Sequence, residues 1–168
     1  LRCAEKGKRM SDQVVYPVQP TAAASAQISD DEYQELYRRS INDPESFWDE
    51  QADLYLTWYR KWHDVMQYDF HTGHIRWFEG GRLNASYNCL DRHLEQRSSR
   101  TAIIWEGDDP SDIRRITYRE LHGEVCRFAN VLKSRGVKRG DRVSIYMPMI
   151  PEAAVAMLGC ARIGAIHS

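Results

Sequence analysis

The feature that most restricts how this chain can fold is a pattern repeated in its last third: a capped helix, a glycine, then a β-rich run. Thr117 and Glu120, three residues apart, form a capping box. Leu121, Val125, Phe128, Ala129 and Leu132 follow on one helical face. Gly136 is predicted to close that helix in the left-handed conformation, with Val137 sealing the cap. After the polar turn Lys138 to Asp141, Val143, Ile145 and Met147 alternate as a strand and Pro148 stops it. Pro151-Glu152 opens a second helix through Val155, Leu158 and Ile163, which Gly164 ends, and Ala165-Ile166-His167 begins another strand. Strands and helices alternating over short connections predict a parallel α/β sheet.

Upstream the signals are more mixed. Residues 1 to 28, with Pro17, Pro20 and a run of small residues, show almost no apolar period and are predicted to be a flexible leader. Ser29 and Glu32 form another capping box, and Tyr33, Leu36, Tyr37 and Ile41 share a helical face. Asp43-Pro44 predicts a further helix through Phe47, Trp48, Ala52, Tyr55, Leu56 and Tyr59. From Trp62 to Phe70 the period is lost, which reads as irregular. Ile75 to Phe78 reads as a strand, Glu79-Gly80-Gly81 as a turn and Arg82-Leu83 as its short return. Ser86 is predicted to cap a helix carrying Tyr87, Leu90 and Leu94. Thr101 to Gly107 and Ile113 to Thr117, separated by Asp108-Asp109-Pro110-Ser111, predict a hairpin.

Charge excludes one class of function. With 23 Lys and Arg against 24 Asp and Glu the net charge is −1, so there is no electrostatic case for nucleic acid. A 42% hydrophobic share with five Trp, nine Tyr and four Phe is globular composition. The longest apolar run, Ala153 to Ala161, is less than half of the ~20 residues a membrane span needs, so neither membrane nor nucleic acid is an expected partner. Cys3, Cys89, Cys126 and Cys160 form no C-x-x-C pair and are expected to be reduced thiols of a cytoplasmic protein. Leu1 to Arg9 are basic without the apolar core of a secretion signal. Met10-Ser11-Asp12 looks like a natural start.

Candidate chemistry is sparse. His71 and His74, near Asp69, fall in an irregular loop with no helix to aim both imidazoles at one ion. Cys89, Asp91 and His93 offer nucleophile, orienter and base, but residues one or two apart on a helix point in different directions, which predicts a solvated face beside a buried cysteine. Gly136 and Gly140 flank basic residues. That loop closes a helix instead of opening one, so an anion would meet the negative end of the dipole. Trp48, Tyr55, Trp58, Tyr59, Trp62 and Trp77 read as a small aromatic core under two short helices.

Several longer runs carry a family resemblance. Tyr87 to Leu94, Ala102 to Asp108, Ile116 to Leu121, Gly140-Asp141-Arg142-Val143 and Tyr146-Met147-Pro148-Met149-Ile150-Pro151-Glu152 through Gly164 are similar to the N-terminal region of AMP-forming acetyl-CoA synthetases. Phe47-Trp48 and Asp69 to Gly81 resemble that branch's N-terminal cap. The resemblance implies an α/β fold: a helical cap over residues 29–85, then, over 86–168, the first strands and helices of the large adenylate-forming, AMP-binding domain, truncated at Ser168. It also implies an acetate–CoA ligase that uses ATP, CoA and Mg2+ and passes through acetyl-AMP. The family's phosphate loop, ribose-binding aspartate, acyl pocket, CoA-binding arginines and C-terminal lysine all lie beyond the position of Ser168. No catalytic, cofactor-binding or metal residue is therefore expected here, and His167 and Ser168 claim only proximity to CoA. The chain alone is expected to be inactive and to bind none of these ligands tightly, acetate, ATP and CoA being met by the remainder of the enzyme. A propionyl-CoA synthetase, or a non-catalytic α/β interaction module, is the alternative.

Overall fold

The computed structural model describes residues 16–168; Cys3 and the start at Met10 lie outside the described residues. The chain divides into two compact units, one ending at Pro44 and one running from Glu45 to Ser168.

The first unit holds α1 (Pro20–Ser25) and α2 (Asp30–Asn42). The stretch expected to lack any element thus contains one. α1 begins on Pro20 and runs through three alanines, a sequence with high helix propensity and no apolar face for a periodicity test to detect. The predicted capping box of α2 is formed: the Ser29 N–H donates to Glu32 Oε2 at 2.8 Å, and the Glu32 N–H donates to Ser29 Oγ at 3.2 Å. Tyr33, Tyr37 and Ile41 share the predicted face, and all three are exposed.

α3 (Pro44–Tyr55) starts on the last residue of the first unit and runs into the second, where it precedes an antiparallel hairpin of β1 (Asp64–Asp69) and β2 (His74–Glu79). The irregular reading of Trp62 to Phe70 is corrected here. β1 buries little beyond Val65, so its side chains alternate between two exposed faces and leave no apolar period. The partner of β2 is also upstream, across a turn closed by Gly73 at φ 70°, and is not the return at Arg82. Arg82 instead pairs with Arg60, its N–H donating to the Arg60 carbonyl at 2.8 Å. Gly80 at φ 79° lies between the two pairings.

The next helix is broken into three pieces: α4 (Ala85–Cys89), a 3₁₀ turn (Asp91–His93) and α5 (Leu94–Arg97). Its cap is Asn84, whose Oδ1 accepts from the Tyr87 N–H at 3.1 Å. Ser86, the predicted cap, lies inside α4, fully buried, with no hydrogen-bond partner for Oγ among the described residues. Both residues suit an N-cap, and packing selects the earlier one: Asn84 Nδ2 also donates to the carbonyls of Ala161 at 2.9 Å and Arg162 at 3.2 Å.

The predicted hairpin is present as β3 (Thr101–Glu106) and β4 (Ile113–Thr117), antiparallel. α6 (Tyr118–Ser134) carries the predicted capping box, and the Gly136 and Val137 N–H groups donate to the Lys133 and Leu132 carbonyls at 3.0 and 3.1 Å, a Schellman cap with Gly136 at φ 86°. α7 (Pro151–Ile163) ends on Gly164 at φ 76°. The strand expected from Val143 to Met147 is shorter: β5 (Arg142–Val143) pairs in parallel with β6 (Ile166–His167), and the Ile145 N–H adds a bond to the Ser168 carbonyl. The parallel β5–α7–β6 unit thus accompanies two antiparallel hairpins. Leu90, Ile116, Leu121, Val125 and Val155 form the core, which fixes α4, β4, α6 and α7 against one another.

Candidate functional site

The site follows from the ends of these elements. Asp91, on the 3₁₀ turn, receives two hydrogen bonds from Arg162 near the end of α7: Nη1 to Oδ2 and Nη2 to Oδ1, both 2.7 Å. His122 Nε2, on α6, stands 3.3 Å from Asp91 Oδ1 and 3.3 Å from Arg162 Nη2. Cys126, one turn further along α6, places Sγ 3.5 Å from the same Nε2. The hydrogen bonds from Arg162 hold the Asp91 carboxyl below its ordinary value although burial acts the other way. The Arg162 guanidinium is raised correspondingly.

This quartet has the residue types of a cysteine-based triad without its geometry. A triad uses the two ring nitrogens separately, one for the nucleophile and one for the orienting carboxylate. Here Asp91, Arg162 and Cys126 all converge on Nε2. Arg162 only donates and Asp91 only accepts, so Nε2 serves one of them at a time. The arrangement joins the 3₁₀ turn, α6 and α7.

Two clefts flank the C-terminal end of α7. One, about 720 Å³, is lined by Trp58, Trp77, Arg82, Asn84, Arg139 and Ile163 among others. The other, about 560 Å³, opens between α6 and α7 and includes Cys126, Lys133, Lys138 and Arg139. Arg139 lies over Gly164, where a Cβ would stand 3.0 Å from Arg139 Cγ.

The candidates weighed from sequence are dispersed. Asp69 closes the β1–β2 turn by accepting from the His71 N–H and the Thr72 hydroxyl, each at 2.9 Å, which lowers its pKa. Among the described residues no three His, Cys, Asp or Glu side chains converge as metal ligands. Cys89 is exposed, not buried as expected, because the buried side of this segment is set by Ser86 and Leu90. His93 packs edge-on to Tyr118 at 5.6 Å, and desolvation lowers its pKa. The aromatic group forms a chain of contacts in place of one core: Trp58, Trp62 and Phe78 cluster within 5.6 Å, Trp48 meets Trp77 at 6.1 Å, and Tyr55 is exposed. Gly136 and Gly140, at φ 86° and 87°, serve as a cap and a turn. Sequence reasoning missed the partners of Asp91. Only the i, i+4 spacing of His122 and Cys126 is legible without the fold.

Comparison with known proteins gives consistent matches. Residues 33–89 match the family model described as acetyl-coenzyme A synthetase N-terminus, and residues 90–168 match that of the AMP-binding enzymes. Over 159 residues, 95% of this chain, it is 62% identical to an acetyl-coenzyme A synthetase of Magnetococcus marinus and 63% identical to one of Alkalilimnicola ehrlichii. The chain spans about a quarter of the length of these curated relatives, 25% in both cases. Among solved structures, an acetoacetyl-CoA synthetase from Streptomyces lividans superposes with a TM-score of 0.72 at 30% identity, covering 81% of this chain and 21% of that one.

Proposed function

Because the chain belongs to the acetyl-coenzyme A synthetase family, corresponding to its N-terminal quarter, we propose that it serves as the N-terminal part of an AMP-forming acetate–CoA ligase. The observation that carries this reading is the identity of 62% and 63%, over 95% of the chain, to two acetyl-coenzyme A synthetases. In the proposed reaction an acetate oxygen attacks the α-phosphorus of ATP and displaces pyrophosphate. The CoA sulfur then attacks the acyl carbon and displaces AMP.

The role proposed for these residues is structural. Residues 29–85 form a cap and residues 86–168 open the AMP-binding domain, whose early elements the Asp91–Arg162 pair holds together. None of the described residues touches the reacting atoms in this reading. ATP, CoA and magnesium are bound by the remainder of the ligase, and its setting is the cytoplasm.

A chimera tests this. Residues 10–168 replace the matching quarter of the Magnetococcus relative, and acetate-dependent pyrophosphate exchange and acetyl-CoA formation are measured. Both activities should persist, with acetate preferred over propionate. A folded chimera inert toward short acids would overturn the proposal, and exchange catalysed by residues 10–168 alone would overturn the structural role.

A further inference from the structure

We propose that the cleft between the C-terminal ends of α6 and α7 binds a small organic phosphate, with Cys126 on its floor. The cleft is about 560 Å³, and no carboxylate among the described residues lines it. Its floor is mainly apolar, from Ala129, Val137 and Ile163, and its rim carries Lys133, Lys138 and Arg139.

The charges on that rim are uncompensated. Arg162, which also lines the cleft, is neutralised by Asp91 through two 2.7 Å hydrogen bonds. Lys133, Lys138 and Arg139 have no ion-pair partner among the described residues. The nearby carboxylate of Asp141 is turned into the loop, its Oδ2 accepting the Lys138 N–H at 2.7 Å. The C-terminal ends of α6 and α7 are the negative dipole ends that the sequence sets against an anion at this loop, but they offset only roughly half a unit each, less than the three rim cations supply. With the Asp141 carboxylate also counted, about one positive charge remains, which still favours an anion such as a phosphate ester.

The rim is also preorganised. Lys133 sits in the last turn of α6. The turn bearing Lys138 and Arg139 is closed by the Asp141 N–H donating to the Lys138 carbonyl at 3.1 Å and pinned to α7 by the Gly140 N–H donating to the Gly164 carbonyl at 2.9 Å. The Arg139 stem rests on Gly164, where a side chain would crowd it. A guanidinium fork with two flanking ammonium groups suits phosphate oxygens, and the apolar floor takes the body that carries them.

Cys126 makes the cleft readable. It is partly exposed, while Cys89 is exposed outside the cleft and provides a reference on the same molecule. The native full-length protein is alkylated with iodoacetate, an anion, and with neutral iodoacetamide, and each cysteine is followed by peptide mass spectrometry. In both reactions the sulfur displaces iodide and its proton goes to solvent. The iodoacetate-to-iodoacetamide rate ratio should be about tenfold higher at Cys126 than at Cys89. That excess should fall in K133Q/K138Q. Phenyl phosphate should slow labelling at Cys126 and not at Cys89, and inorganic phosphate should protect less. Equal ratios at the two cysteines, or no protection by phenyl phosphate, would overturn the site. Equal protection by inorganic phosphate would overturn the organic part of the assignment.

Discussion

Asp91 and Arg162, 71 residues apart in sequence, meet through two hydrogen bonds of 2.7 Å, with side chains only 19% and 26% exposed. Low exposure reduces screening, so this pair contributes more than a surface ion pair. Arg162→Lys keeps the charge and loses the fork, and should cost about 1–2 kcal/mol. Asp91→Ala leaves a half-buried guanidinium unpaired, and should cost more, about 2–3 kcal/mol. Urea midpoints of the two variants check both the size and the order. A larger effect from the lysine variant would contradict the bidentate account.

Asp91 and His93 are among the groups that give the stability a pH dependence. Asp91 is held below its ordinary value of 3.8, first by the Arg162 hydrogen bonds. The unfolded chain therefore takes up the proton first, and the contribution of Asp91, complete above about pH 4, is lost as pH falls through the folded value. His93 is lowered from 6.5, first by desolvation and then by Arg92 and Arg97. Its contribution is complete above about pH 6.5 and declines below it by the same logic. Denaturation midpoints measured against pH should flatten below about pH 4 in Asp91→Asn and below about pH 6.5 in His93→Gln. A His93→Gln curve parallel to the parent would remove His93 from the account.

At Gly159 two rules oppose each other. A Cβ there would stand 2.7 Å from Phe128 Cδ1, across the α6–α7 contact. Alanine gains up to about 1 kcal/mol of helix propensity, whereas overpacking a core contact costs about 1–3 kcal/mol. Gly159→Ala should therefore be net destabilising in thermal melts, and adding Phe128→Leu should recover part of the loss. A stabilised Gly159→Ala would mean that the ring moves aside freely.

The two ends of α6 can be weighed against each other. Thr117→Ala removes the capping side chain that accepts the Glu120 N–H, and should cost about 1 kcal/mol. Gly136→Ala meets no steric neighbour, so its cost of about 1–2 kcal/mol is backbone strain alone at φ 86°. Gly136→Asn should cost less, because asparagine tolerates that region better. Chemical denaturation ranks the three, and equal losses for alanine and asparagine at Gly136 would show that strain is not the cause.

Elements whose signals are local were legible in the sequence. Both capping boxes, the Gly136 and Gly164 caps, the β3–β4 hairpin and α7 each depend on residues a few positions apart. What was missed depends on contacts from elsewhere in the chain. β1 lacks alternation because most of it is exposed. Asn84 outcompetes Ser86 because the end of α7 supplies acceptors 77 and 78 residues away. The quartet around His122 Nε2 joins the 3₁₀ turn, α6 and α7, and no spacing in the sequence brings Asp91 to it.

The order in which a ribosome delivers these elements gives the Asp91–Arg162 pair a kinetic meaning. The β1–β2 and β3–β4 hairpins and α6 close over short loops and can form as they emerge. Asp91 is synthesised long before Arg162, so its carboxylate waits for α7, and the α4–α5 region stays unlocked until then. Because its partners stand 71 residues apart, closing this contact carries a large loop-closure entropy, and it is expected to form after the local hairpins and α6. Weakening it should leave the refolding rate nearly unchanged and quicken unfolding, so the pair acts as a latch on the lifetime of the native state.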